Sequence, residues 1–173
     1  MKVFVALLRA INVGGTGKLA MSELKSLCED AGFKDCRTYI QSGNVLFRSN
    51  LAEASVKTKL EKALAAKLGK ASAAMVRTRA ELEAAIKRNP YKTALPSRVL
   101  VLFLDESPAR DALSALHIPG REKVKLEGRE VFVHYPDGMG HSKLKLPFAA
   151  MGTGRNLNTV MKLAAMAAEL EQN

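Results

Sequence analysis

The chain has 173 residues, 47% of them hydrophobic, enough to bury one sizeable core or two small ones. Its 27 Lys and Arg exceed its 17 Asp and Glu, and the net charge of +10 draws anionic partners by long-range attraction. The two cysteines, Cys28 and Cys36, lack the close spacing of zinc ligands and point to a reduced, cytoplasmic interior rather than a disulfide scaffold.

Lys2 to Ile11 is short, dense in Val, Phe and Leu, and ends at glycines, which predicts a buried strand. The apolar run inside it is too short to span a membrane, and Arg9 interrupts it with no cleavage site beyond, so neither an anchor nor a signal peptide is expected. Met21, Leu24, Leu27, Cys28 and Ala31 then fall at helical spacing, with Gly32 placed as a left-handed C-terminal cap. Cys36 to Gln41 and Val45 to Ser49 read as two strands around the turn Ser42-Gly43-Asn44.

Asn50 and Glu53 have capping-box spacing before a helix lined by Val56, Leu60, Leu64 and Leu68 and closed by Gly69. Ala73 to Thr78 supplies a fourth strand. The first eighty residues therefore read βαββαβ, the order of a ferredoxin-like sandwich with helices on one face of an antiparallel sheet.

Thr78 and Glu81 make a second capping box for a short helix that Asn89-Pro90 should stop, and residues 91–97 read as a linker. Val99 to Leu104 is a continuous apolar strand, Ser107-Pro108 opens a helix over Ala109 to Leu116, and Glu127-Gly128 turns a hairpin between Lys123–Leu126 and Glu130–Tyr135. Val160, Leu163, Ala167 and Leu170 define the last helix. The expected fold class is α+β: a ferredoxin-like half over residues 1–90, then a related βαββα half over 98–173. A single longer sheet is the competing picture.

Chemistry concentrates at glycines. Gly14-Gly15-Thr16-Gly17-Lys18 lies between the first strand and first helix, where amides, a helix N-terminus and a lysine suit an anion. It is not a nucleoside-triphosphatase loop, because the gap between its glycines is too short and Leu19 follows the lysine. Arg9 shares a strand face with Val5 and Leu7, and a guanidinium there calls for either a bound anion or a carboxylate such as Glu29, Asp30 or Asp35. Gln41 and Asn44 flank the hairpin turn.

Near the C-terminus Gly152-Thr153-Gly154-Arg155-Asn156-Leu157-Asn158 opens the last helix, where the amides serve either an anion or the helix cap. Residues 136–143 read as a flexible loop. His117, His134 and His141 are scattered without metal-ligand spacing, no serine sits in a nucleophile elbow, and no catalytic residue or cofactor is assigned.

The runs Leu7-Leu8-Arg9-Ala10-Ile11-Asn12-Val13-Gly14-Gly15, Arg37-Thr38-Tyr39-Ile40-Gln41-Ser42-Gly43-Asn44-Val45 and Thr153-Gly154-Arg155-Asn156-Leu157-Asn158-Thr159-Val160 resemble the bacterial family called domain of unknown function 1697. Two positions depart from its pattern, with Ala10 in place of glycine and Leu157 in place of tryptophan. The resemblance implies a cytosolic bacterial protein with an α+β fold and implies no activity.

The anion-binding group expected is Arg9, Asn12, Gly14, Gly15, Lys18, Gln41 and Asn44, joined by Arg155, Asn156 and Asn158 in one cleft, for a phosphate-bearing small molecule or nucleotide. Two other classes stand beside it. Acylphosphatases place an anion loop at the same point of this topology, so phosphoryl or acyl-phosphate hydrolysis is one, with Asn44 positioning water. The other is nucleic-acid binding, by a sheet face bearing Arg37, Tyr39, Gln41, Arg48 and Arg77 or by the region Arg121 to Lys145.

Overall fold

The structure, a computed structural model, describes residues 1–11 and 18–173. Two four-stranded antiparallel sheets organise it, so the single-sheet alternative does not hold. The first has the order β2-β3-β1-β4 and the second β6-β7-β5-β8. Compact unit 1 comprises residues 1–82 and 163–173, and unit 2 comprises residues 83–162.

In unit 1, β1 (Lys2–Leu8) lies between β3 (Asn44–Ser49) and β4 (Ala74–Thr78), with β2 (Lys34–Tyr39) outside β3. Helices α1 (Met21–Asp30) and α2 (Glu53–Leu68) cover one face. Period-two alternation sends Phe4, Ala6, Leu8, Val45 and Phe47 to that side, where they meet Leu24 and Cys28 of α1 and Val56, Leu60 and Leu64 of α2. Phe33 stacks on Phe47 with ring centroids 4.2 Å apart.

The opposite face is buried as well. Leu7, Leu46 and Arg77 are fully covered, Arg48 donates to the carbonyl oxygen of Leu170, and Arg79 pairs with Glu171 at 2.7 Å. The end of α5 (Leu157–Gln172) therefore lies on this side, and Arg77 and Arg48 do not form an open basic platform for bases.

Two helix starts contrast. Thr78 and Glu81 form the expected box at α3 (Arg79–Arg88): the Thr78 amide donates to Glu81 Oε2 at 2.7 Å and the Glu81 amide to Thr78 Oγ1 at 3.3 Å. At α2 the cap is Ala52 and not Asn50, because Ser49 Oγ takes the Leu51 amide at 3.1 Å and holds the chain in a turn first.

In unit 2, β5 (Val99–Phe103) pairs with β7 (Glu130–His134) and with β8 (Thr153–Asn156), and β6 (Lys123–Glu127) is an edge strand. Strand β8 corrects the reading of Gly152 to Asn158 as the opening of the last helix, because the chain is extended through Asn156 and the helix begins at Leu157. The expected helix over 109–116 is a single α-turn, α4 (Asp111–Ser114), because the bonds beside it, Ala112 to Ala109 and Leu116 to Leu113, span only three residues. Both halves thus carry four strands in matching order, and in each the last strand holds an arginine one residue before its end, just ahead of a helix: Arg77 before α3 and Arg155 before α5.

Candidate functional site

Strand β1 ends in a clamp. The Leu8 amide donates to Gly43 O at 2.8 Å and the Arg9 amide to Ala73 O at 3.0 Å, so the β2–β3 turn and the lead-in to β4 meet at the base of Arg9. This brings Arg9 and the Gln41–Asn44 turn to one end of the sheet. Asn12, Gly14 and Gly15 lie outside the described residues, and Lys18 beyond them is exposed.

Arg9 is half-buried, and none of the carboxylates suggested for it is engaged with it. Glu29 pairs with Lys25 at 3.8 Å, Asp35 pairs with Arg48 at 3.5 Å, and Asp30 is exposed. Among the described residues the Arg9 guanidinium makes no ion pair.

Asn44 has a different task. It is fully buried, and its side-chain amide donates to Tyr39 O at 2.8 Å and Ser42 Oγ at 3.0 Å, which ties the hairpin turn shut. Gly43 sits at φ +85°, and a Cβ there would lie 3.0 Å from Leu8 Cβ, so the turn packs directly on the end of β1. Gln41 is exposed.

At the start of α5, Asn156 Oδ1 accepts the Thr159 amide at 3.0 Å, a side-chain cap. Arg155 is buried in β8 and donates to Thr153 Oγ1 at 2.8 Å and Gly154 O at 2.9 Å. Burial pushes its guanidinium down to about 10. Asn158 is exposed.

The sequence marks residues 136–143 as a flexible loop inside the basic region Arg121 to Lys145 and shows no cavity there. In unit 2 they fold around a cavity of about 180 Å³ lined by Glu122, Tyr135, Asp137, His141, Ser142 and Lys143 among others. Ser142 Oγ donates to Glu122 Oε1 at 2.6 Å and accepts the Leu144 amide at 3.1 Å. The Ser142 hydroxyl holds Glu122 below the usual carboxylate range, and Arg121 does the same for Asp137. Six of eight residues in the run are Pro, Asp, Gly, His or Ser, a turn-forming composition that hid any built geometry.

Among the described residues, no three His, Cys, Asp or Glu gather to hold a metal, and no helix is long and apolar enough to cross a membrane. The family described as "Protein of unknown function (DUF1697)" matches residues 1–132. The chain is similar to a solved structure, that of the conserved bacterial protein SP0830 from Streptococcus pneumoniae. The two share 26% identity and a TM-score of 0.80, over 96% of this chain and 98% of that one. No curated protein matches the chain.

Proposed function

Since the chain belongs to the DUF1697 family of proteins of unknown function, we propose that its N-terminal half binds a phosphate-bearing small molecule or nucleotide at the C-terminal end of β1. Arg9 is the principal cation, Lys18 the second, and Asn12, Gly14, Gly15 and Gln41 complete the group. The observation that carries this reading is the half-buried Arg9 side chain with no ion pair among the described residues. A guanidinium drawn partly out of water costs free energy that an anion offsets. Hydrolysis is the weaker reading, because Asn44, the amide assigned to position water, spends its NH2 on Tyr39 and Ser42.

Isothermal titration with inorganic phosphate and nucleoside phosphates tests it. A charge-assisted hydrogen bond contributes about 1.5–3 kcal/mol, so Arg9→Ala should weaken binding by at least roughly tenfold. Arg9→Lys should recover part of the loss, as a point charge without the guanidinium fork. Equal affinity in wild type and Arg9→Ala, with both chains folded, would overturn the assignment.

A further inference from the structure

A second surface, in unit 2, has no part in that site. It lies where the edge strand β6 meets β7. In the antiparallel register Lys123 stands opposite His134 and Lys125 opposite Phe132, and directly opposed side chains share a face. Val124, Leu126, Val131 and Val133 take the other face, into an apolar cluster; on this face Phe132 is fully buried, and the strip that stays open is its edge at Lys123, Lys125 and the half-buried His134.

The residues around His134 are aromatic on one side and cationic on two others. The Tyr91 ring lies 5.6 Å from the His134 ring at an interplanar angle of 32°. Lys123 is the cross-strand partner, and Arg98 adjoins Val99, the residue that pairs with His134 from β5. Arg98 also donates to the carbonyl oxygen of Pro136, which anchors its side chain at this end of the sheet. Burial first, and then Lys123 and Arg98, lower the affinity of His134 for a proton, so its ring is a neutral π-face at neutral pH.

Neither Lys123 nor Arg98 makes an ion pair among the described residues, and both are exposed. Two residues along the exposed edge strand is roughly 7 Å, so Lys123 and Lys125 form a short cationic track beside the rings. Lys125 pairs with Glu127 at 3.4 Å, and both side chains remain open enough to water to exchange that contact for a phosphate.

We propose that this strip of Tyr91, Arg98, Lys123, Lys125 and His134 binds single-stranded nucleic acid, with backbone phosphates on the cations and a base stacked against the Tyr91–His134 pair. Charge complementarity and a sequence-tolerant stacking face are the two elements such a surface requires. An edge strand suits an extended chain, and a rigid duplex offers no unstacked base to the rings.

The test is fluorescence anisotropy with a labelled oligo-dT strand and an oligo-U strand at two salt concentrations. Binding should be in the micromolar range at low salt. For three phosphates neutralised, the slope of log K against log salt should be about −2. The double variant Lys123→Ala/Lys125→Ala should weaken binding about tenfold or more and flatten that slope. His134→Ala should weaken binding at fixed salt while leaving the slope unchanged, because stacking releases no counterions.

A matched double variant on α2, Lys59→Ala/Lys62→Ala, removes the same charge from exposed positions in unit 1 and should change affinity less than twofold. Equal losses in the two double variants would mean bulk charge and overturn the proposal. So would the absence of salt-sensitive binding at 100 µM protein, on the order of the weak end of non-specific affinity. Neither result bears on Arg9, which lies in the other unit.

Discussion

The side-chain amide of Asn44 donates to the carbonyl oxygen of Tyr39 at 2.8 Å, across the turn that the backbone at Gly43 presses onto the end of β1. A buried amide with its hydrogens so placed is a structural fastener, and its removal takes both side-chain bonds from the turn. Asn44→Ala should therefore cost about 1–3 kcal/mol of stability by urea denaturation. Asn44→Asp should cost more, because a carboxylate would face the Tyr39 carbonyl oxygen. Stability unchanged in Asn44→Ala would show that the turn holds without the amide.

Backbone conformation sets a prediction of opposite signs at two nearby positions. Ala10 sits at φ +51° and Gly43 at φ +85°, both in the left-handed region. That conformation costs a residue with a Cβ about 1–2 kcal/mol. Ala10→Gly returns this strain but adds freedom to the unfolded chain, worth about 0.4–1 kcal/mol, for a net stabilisation of about 0.5–1 kcal/mol. Gly43→Ala gains the strain and a tight contact with Leu8 Cβ, and should destabilise by about 1–3 kcal/mol. Thermal melts of both variants check the pair; a lower melting temperature for Ala10→Gly would contradict the first.

The same positions show what was readable from the sequence. Strands with a run of Val, Phe and Leu, such as β1 and β5, declare themselves by composition, and the Thr78–Glu81 box marks α3 because its two hydrogen bonds are local. Strand β8 does not, since Thr-Gly-Arg-Asn has neither alternation nor β-branched density; it forms because β5 offers an open edge. Gly152 just ahead of it lets the chain pass Phe103, whose carbonyl oxygen a Cβ would strike. In the candidate site the residue types at 9, 41 and 44 were visible, and their convergence follows from the Leu8–Gly43 bond. That Asn44 faces inward was not visible, because an amide beside glycine serves a turn or a ligand equally well. The cavity around 136–143 stayed hidden because it depends on Glu122 returning to Ser142 from another segment.

His134 gives the molecule a defined pH signature. Its affinity for a proton is lowered in the folded state from the ordinary value of 6.5, by burial and then by Lys123 and Arg98. Between the lowered value and 6.5 the unfolded chain binds more protons than the folded one, so stability rises with pH through that window and falls as pH drops. His134→Gln should flatten this part of the profile in melts taken from pH 5 to pH 7. Parallel profiles for the two proteins would show that His134 is as free in the fold as in the unfolded chain.

The two thiols close the set. Cys28 on α1 and Cys36 on β2 are both free and buried in the unit 1 core. A hydrogen bond shared between them pushes the Cys28 thiol up, and burial acts in the same direction. The same bond pulls Cys36 down, while burial opposes it. Reaction with a disulfide reagent needs a thiolate and a path to it. Cys28 lacks the first, and Cys36, at 4% exposure, lacks the second. The native protein at pH 8 should therefore release almost no thionitrobenzoate from Ellman's reagent within minutes, and both thiols should react at once in guanidinium chloride. A single fast thiol in the native protein would mean that the β2 edge opens enough to expose Cys36, and Cys36→Ser would abolish it. Two fast thiols would mean that the packing of α1 on β2 is not maintained in solution.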